Sequence, residues 1–286
     1  NQSTNKSIIN WDSFSIHKGG QVDFNMPSSK SSSLNRVTGS TPSRIAGQIN
    51  SNGKVLLINP NGVAITKSGT VKTSSFTAST LDIKNSDFLN DKYSFSGKGS
   101  SKGVSNSGKI IVGAGGNAAL LGGHISNTGL VLAKIGRIAL GAGEKITLDF
   151  VGDGLMKITV PTNQLGVIRD INGNTLKSLI SNTGTLKANG GVIELSARTA
   201  QALSRGSVNI GSSGMVIAKT LGDKSGKIVI GSPKDSNIKI AGKIEVSKPI
   251  KSLSPSGTVI VQGRNITHTG NIYANGRSGG KVKILS

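Results

Sequence analysis

The chain has 286 residues, 40 of them glycine, and 34 Lys/Arg against 13 Asp/Glu give it a formal charge of +21. It has no cysteine, which excludes disulfides and thiolate metal sites as supports of the fold. Glycine, Ser/Thr/Asn and Val/Ile/Leu dominate while aromatics are scarce, and the apolar pattern has period two. That describes short strands and tight turns around an aliphatic core, not amphipathic helices.

Residues 1–50 are expected to form an N-terminal cap and a first coil. The run IINWDSFSIHKGGQVDFN alternates apolar and polar residues, and it supplies Trp11, Phe14 and Phe24 as cap packing. Eight aromatics (Trp11, Phe14, Phe24, Phe76, Phe88, Tyr93, Phe95 and Phe150) precede residue 151, so specialised packing is expected in the first half. No basic and apolar leader opens the chain, so no signal peptide is expected within it. The sequence reads as a cytosolic chain or as the trimmed form of an exported one.

From residue 51 a pattern recurs: a polar residue, Gly, then an alternating strand, with a second Gly several residues later. First corners are read at Gly53, Gly108, Gly129, Gly184, Gly214, Gly242 and Gly270. Second corners are read at Gly62, Gly116, Gly136, Gly191, Gly226, Gly257 and Gly280. First corners lie 21 residues apart from 108 to 129 and 28 to 30 apart along 184, 214, 242 and 270. Strands this short need partners, so successive coils must stack in parallel at about 4.8 Å. The expected fold is a single all-β solenoid over 1–286, with the coils in 51–286. Two intervals too long for one coil, near 84–105 and 149–178, are read as hairpins projecting from it.

Function classes follow from what the residues lack. The cations are spread evenly, with 16 Lys/Arg against 7 acids in residues 1–150 and 18 against 6 in 151–286. No basic run marks a nucleic-acid site, and none is expected. His17, His124 and His268 have no companions at metal-ligand spacing, so no metal site and no cofactor are expected. Parallel solenoids also host polysaccharide-cleaving enzymes, which need clustered carboxylates. The nearest acids here, Asp82/Asp87/Asp91 and Asp149/Asp153, fall in the two long intervals, so no catalytic residue is assigned and no enzyme is expected. The Gly-x-Gly patterns at 113–115 and 141–143 open no helix and read as corners.

One stretch exceeds what a corner needs. In LLINPNGVAI, Pro60 cannot sit in the middle of a paired strand. Asn59 is pushed extended by it, and Asn61-Gly62 suit the closing positions of a tight turn.

The run from Ile8 to Ile83 carries IxWxSF (Ile9 to Phe14), LNRVTG (34–39), PSRIxGxI (42–49), SNGxVxLINPNGV (51–63) and FTASTLDI (76–83). This set resembles the secretion domain of two-partner secretion exoproteins of the filamentous haemagglutinin type. Where the haemagglutinin branch carries NPNL, this chain has MPSSKSSSLNRV, and it resembles more closely the high-molecular-weight adhesin and haem-haemopexin-binding branch. The resemblance implies a right-handed, single-stranded parallel β-helix with an N-terminal cap and extrahelical β-hairpins. It also implies export through the periplasm of a Gram-negative bacterium, by a partner outer-membrane transporter of the Omp85 superfamily acting through its POTRA domains. The product would be a monomer, secreted or held at the cell surface, whose folding starts a long adhesin-like or haemolysin-like exoprotein. Asn59, Pro60, Asn61 and Gly62 become the candidate transporter mark, and Asn35, Arg36, Ser43 and Arg44 a secondary motif. The competing reading is an adhesive module whose basic faces bind anionic glycan or a host cell surface.

Overall fold

The structure, a computed structural model, describes residues 1–99, 101–149, 156–160, 173, 178–198, 206–231, 236–248 and 255–286. Strands of two to six residues follow one another around a three-sided coil, and each pairs in parallel with its counterpart one coil away. Three sheets result, of ten, eight and nine strands, taken here as the first, second and third in the order the chain visits them. Alternation sets the inside of the coil. In the first sheet Val55, Phe76, Ala118, Ile138, Ile193, Ile228 and Val259 stack in register and point inward. Ile49, Val71, Ile110, Val131, Leu186, Val216 and Ile244 do the same in the third. Such columns make one continuous aliphatic core, the expected parallel β-helix.

The corners need a correction. The coil has three, whereas the glycine pattern suggested two. Between the second and third sheets runs one column: Gly47, Gly69, Gly108, Gly129, Gly184, Gly214, Gly242 and Gly270. In it the carbonyl of each glycine accepts from the residue that follows the next one, as in Leu130 N to Gly108 O at 2.9 Å and Thr185 N to Gly129 O at 2.8 Å. A Cβ on Gly129 or Gly184 would collide with the carbonyl oxygen of the glycine one coil earlier, so the column packs closer than any side chain allows. Gly53 is not in this column. It belongs to the corner between the third and first sheets, where its carbonyl accepts from Ser74 N at 2.9 Å and where Gly116, Gly136, Gly191, Gly226, Gly257 and Gly280 follow. Gly62 is in neither. It turns the chain from strand Lys54–Ile58 of the first sheet to strand Val63–Ile65 of the second. The interval 53 to 62 spans a different side of the coil from 129 to 136.

Inside the second-sheet corner the column reads Ile45, Ile65, Asn106, Asn127, Asn182, Ile210, Ile240. The three asparagines are wholly buried and hydrogen-bonded in series: Asn106 Nδ2 to Asn127 Oδ1 at 2.8 Å and Asn127 Nδ2 to Asn182 Oδ1 at 2.7 Å. Asn182 Nδ2 closes the series on Gly184 O at 3.2 Å. A buried amide is tolerated only with its partners supplied, and here each coil supplies the next.

The described parts of the extra segments lie against the solenoid. Strands Asp82–Ile83 and Tyr93–Ser96, with a short helix Asn85–Leu89 between them that the strand pattern did not reveal, form one insertion. Strands Lys145–Leu148 and Met156–Val160 form the described part of the other, and most of the expected 149–178 interval lies outside the described residues. The two insertions join in one antiparallel four-stranded sheet through Phe95 opposite Ile146. This sheet covers the outer face of the first sheet and closes a second apolar core there. Eight of its residues come from the insertions and their base, including Phe88, Phe95, Ile146 and Ile158. Five come from the first sheet: Leu34, Leu56, Ile58, Ala119 and Leu121. Strand Lys54–Ile58 is therefore buried on both sides, which is why KVLLI lacks strict alternation.

At the N-terminal end, strands Lys6–Trp11 and Gln21–Phe24 continue the first and third sheets, and Ile16 bridges to Ile45. Trp11 meets Phe14 edge-on at 5.3 Å and Phe14 stacks on Phe24 at 6.5 Å. Phe14 is the buried member, and Trp11 and Phe24 are half-buried against the core.

Candidate functional site

The NPNG corner is built from hydrogen bonds. Gly62 N donates to Asn59 O at 3.0 Å, closing a turn with Pro60 and Asn61 in the middle. Asn61 keeps a negative φ, which makes the turn type I. The bend leaves Gly62 at φ 121°, a region that favours glycine. Asn59 is fully buried, and both ends of its amide are used. Nδ2 donates to Thr41 O and to Ser43 Oγ, each at 2.9 Å, and Oδ1 accepts from Asn61 N at 2.9 Å. Asn61 Nδ2 reaches Gly39 O at 2.8 Å, and Ser43 N donates to Gly62 O at 3.0 Å. The VTGSTPS run of one coil and the NPNG of the next thus form one knot, from which Pro60 is exposed to solvent.

The secondary motif divides. Ser43 belongs to this knot. Asn35 lies in the lumen, wholly buried, donating to Ser33 Oγ at 3.1 Å and accepting from Trp11 Nε1 at 3.1 Å, so it links the coil to the cap. Arg36 faces the other side of the same strand, where Nε meets Asp82 Oδ1 at 2.9 Å and Nη2 donates to Ile83 O at 2.7 Å. Arg44 is exposed, with its backbone N bonded to Ser15 Oγ at 3.0 Å.

Two of the acids singled out from sequence make ion pairs. Asp82 pairs with Arg36, and Asp91 with Lys6 at 2.8 Å. Asp153 lies outside the described residues. Burial, reinforced by the neighbouring Asp91 carboxylate, pushes the Tyr93 phenol up to about 12. Among the described residues no group of three His, Cys, Asp or Glu is placed to hold a metal. Three buried acids, Glu144, Glu194 and Glu245, were not singled out from sequence. Glu144 accepts from Ser101 N at 2.9 Å, Ser101 Oγ at 2.7 Å and Gly99 N at 3.0 Å, and Glu194 accepts from Met156 N at 2.6 Å. Glu144 ties the second insertion to the end of the first, and Glu194 ties the second insertion to the first sheet. Their signal was a lone acid inside an apolar, glycine-rich run.

The cations form no continuous lateral row on the third sheet. Lys72 and Lys187 share a register line there, but Ile111 and Leu132 stand between them. A cleft of about 760 Å³ between the first insertion and the first sheet is walled by Arg36, Asp82, Asp87 and Lys145. It is open and polar rather than the enclosed apolar kind that takes small ligands.

A family model described as the TPS secretion domain matches residues 1–284. The chain belongs to that family. The crystal structure of the HMW1 secretion domain from Haemophilus influenzae superposes with a TM-score of 0.79 at 31% identity, covering 98% of this chain and 72% of that one. Two curated proteins of Haemophilus influenzae, both named heme/hemopexin-binding protein, are also similar. One, of strain Rd, is 31% identical over 206 residues, 69% of this chain and 21% of its own length. The other is 27% identical over 305 residues, 97% of this chain and 32% of its own length. The chain spans less than a third of these relatives. Both names fall in the branch that the MPSSKSSSLNRV segment indicated. TPS secretion domains belong to exported proteins, secreted or held at the surface of Gram-negative cells, and the family is not one of enzymes.

Proposed function

We propose that this TPS secretion domain is the segment of a larger exoprotein that a partner outer-membrane transporter of the Omp85 superfamily engages through its POTRA domains in the periplasm. Its folding outside the cell would then start the β-helix of the whole. The match over residues 1–284 carries this reading. The engaged form is unfolded or partly folded, with extended segments adding to a sheet edge of the transporter. In that form Asn59, Pro60, Asn61 and Gly62 would be accessible together. In the folded form Asn59 and Gly62 are buried, Asn61 is half-buried and Pro60 is exposed.

The chain is expressed behind a signal peptide with and without its transporter, and its appearance outside the cell is followed. Export that needs the transporter supports the reading; export without it overturns it. Pro60→Arg then isolates the mark, because the side chain is exposed. A purified variant with an unchanged unfolding midpoint but export reduced on the order of tenfold assigns recognition to this corner. Full export leaves the corner a purely structural turn.

A further inference from the structure

We propose that the two insertions and the N-terminal coils are one folding unit, locked by Lys6 and Arg36, which cannot close until residues up to about 160 are available. The observation is that the antiparallel sheet is assembled from segments far apart in sequence. Tyr93–Ser96 pairs with Lys145–Leu148, which pairs with Met156–Val160. Until Lys145–Leu148 and Met156–Val160 arrive, the cluster of Leu34, Leu56, Ile58, Phe88 and Phe95 lacks Ile146, Leu148, Met156 and Ile158, although each of the five is almost wholly buried in the closed structure.

Polar bonds link the same parts. Lys6, in the first strand, donates through Nζ to Leu89 O at 2.8 Å and Phe88 O at 3.2 Å at the end of the short helix, and it pairs with Asp91. Arg36 holds Asp82 and Ile83 at the other end of that insertion. Glu144, at the start of the second insertion, takes three bonds from residues 99 and 101 at the end of the first. Each contact spans at least 43 residues of sequence. Long-range closure of this kind carries its loop-entropy cost before its reward. Coil-by-coil growth from the N-terminus, the simple expectation for a solenoid, therefore does not describe this half of the molecule. Its stability arrives at a threshold. The consequence for export rests on the secretion reading above: the emerging chain gains no locked structure from its first coils, and the first committed folding step waits until more than half of the domain is outside.

Native-state hydrogen exchange on the full purified chain, with no transporter present, tests the unit apart from that reading. Ile146→Ala lies in the second insertion. It is expected to speed exchange on the order of 30-fold or more in Lys145–Leu148, in Tyr93–Ser96 and equally in Lys6–Trp11 and Ser32–Val37, while Lys227–Gly231 keeps its protection. If Ile146→Ala does not fold, Lys6→Gln, which leaves the apolar cluster intact, carries the test with a smaller common factor on the order of threefold to tenfold. Faster exchange confined to the antiparallel sheet, with Lys6–Trp11 and Ser32–Val37 unchanged, would show a flap that opens alone and would overturn the proposal. Pulse labelling during refolding gives the kinetic counterpart. Protection of Lys6–Trp11 and Lys145–Leu148 in one phase supports the unit; protection of Lys6–Trp11 well ahead of Lys145–Leu148 refutes it.

Discussion

Ser43 Oγ accepts a hydrogen bond from the Asn59 amide at 2.9 Å, joining two corners of adjacent coils across 16 residues of sequence. Because both side chains are fully buried, neither can turn to water when the other is removed. Asn59→Ala, which leaves Ser43 Oγ, Thr41 O and Asn61 N short of a partner, is expected to cost about 2–3 kcal/mol, and Ser43→Ala about 1–2 kcal/mol. The double variant should fall short of the sum by about 0.5–1 kcal/mol in denaturant unfolding. Strict additivity would show that the two groups do not share a bond.

The cap makes a second prediction. Phe14→Ala should lower stability by about 3–4 kcal/mol, because a buried ring between Trp11 and Phe24 leaves a cavity that neither half-buried neighbour fills. Trp11→Phe keeps most of the apolar contact but removes the donor to Asn35. It should cost about 1 kcal/mol, and Trp11→Ala more. Unfolding midpoints with unchanged denaturant slopes would check the order Phe14→Ala, Trp11→Ala, Trp11→Phe.

The asparagine ladder is expected to respond asymmetrically. Asn127→Ala deprives both Asn106 and Asn182 of a partner and should cost about 2–4 kcal/mol, whereas Asn182→Ala, at the end of the series, should cost less. Replacing all three by isoleucine, the residue of the flanking coils, should recover much of the loss, since no side-chain amide is then stranded and Gly108 N alone loses its acceptor. Thermal unfolding of the four proteins is the measurement.

Glu245 gives the pH dependence. Partial burial pushes its carboxyl up, but hydrogen bonds and charge from Lys219 at 2.6 Å and Lys243 at 2.9 Å outweigh that and hold it below the ordinary carboxylate value. A depressed folded-state pKa adds stability above the unfolded value of about 4.3, and the gain is lost as pH falls through the folded value. With both lysines more than a third exposed, the gain is at most about 1 kcal/mol. Glu245→Gln should thus lower the unfolding midpoint at pH 7, and its gap to the parent should narrow as pH falls below about 4. A gap that widens on acidification would reverse the sign.

The stacking of the coils was legible because glycine spacing and two-residue alternation are local signals, and the LNRVTG and NPNG motifs pointed to residues that do meet. The side of the coil on which each corner falls was not. Gly53 and Gly129 sit in similar words, SNGKV and NTGLV, yet one follows the third sheet and the other the second, a difference set by what stacks beneath them. The antiparallel cover was equally hidden. Ile146 and Phe95 look like ordinary members of an alternating strand, and nothing local says that they face each other across 50 residues. Lys6 and Arg36 read as two more cations in a basic chain, because an ion pair's partner is chosen by the fold.

Coil length varies little between the second and third sheets, where stacked glycine backbones leave no room, and widely between the first and second. Strand Lys54–Ile58 reaches Val63–Ile65 through the four residues of NPNG, while Ser75–Ser79 reaches Gly103–Asn106 through the whole first insertion. That edge of the prism is where the architecture accepts added chain without disturbing its rungs. A foreign peptide grafted there in a later coil would be displayed along one ridge of the rod, leaving the packed spine opposite untouched.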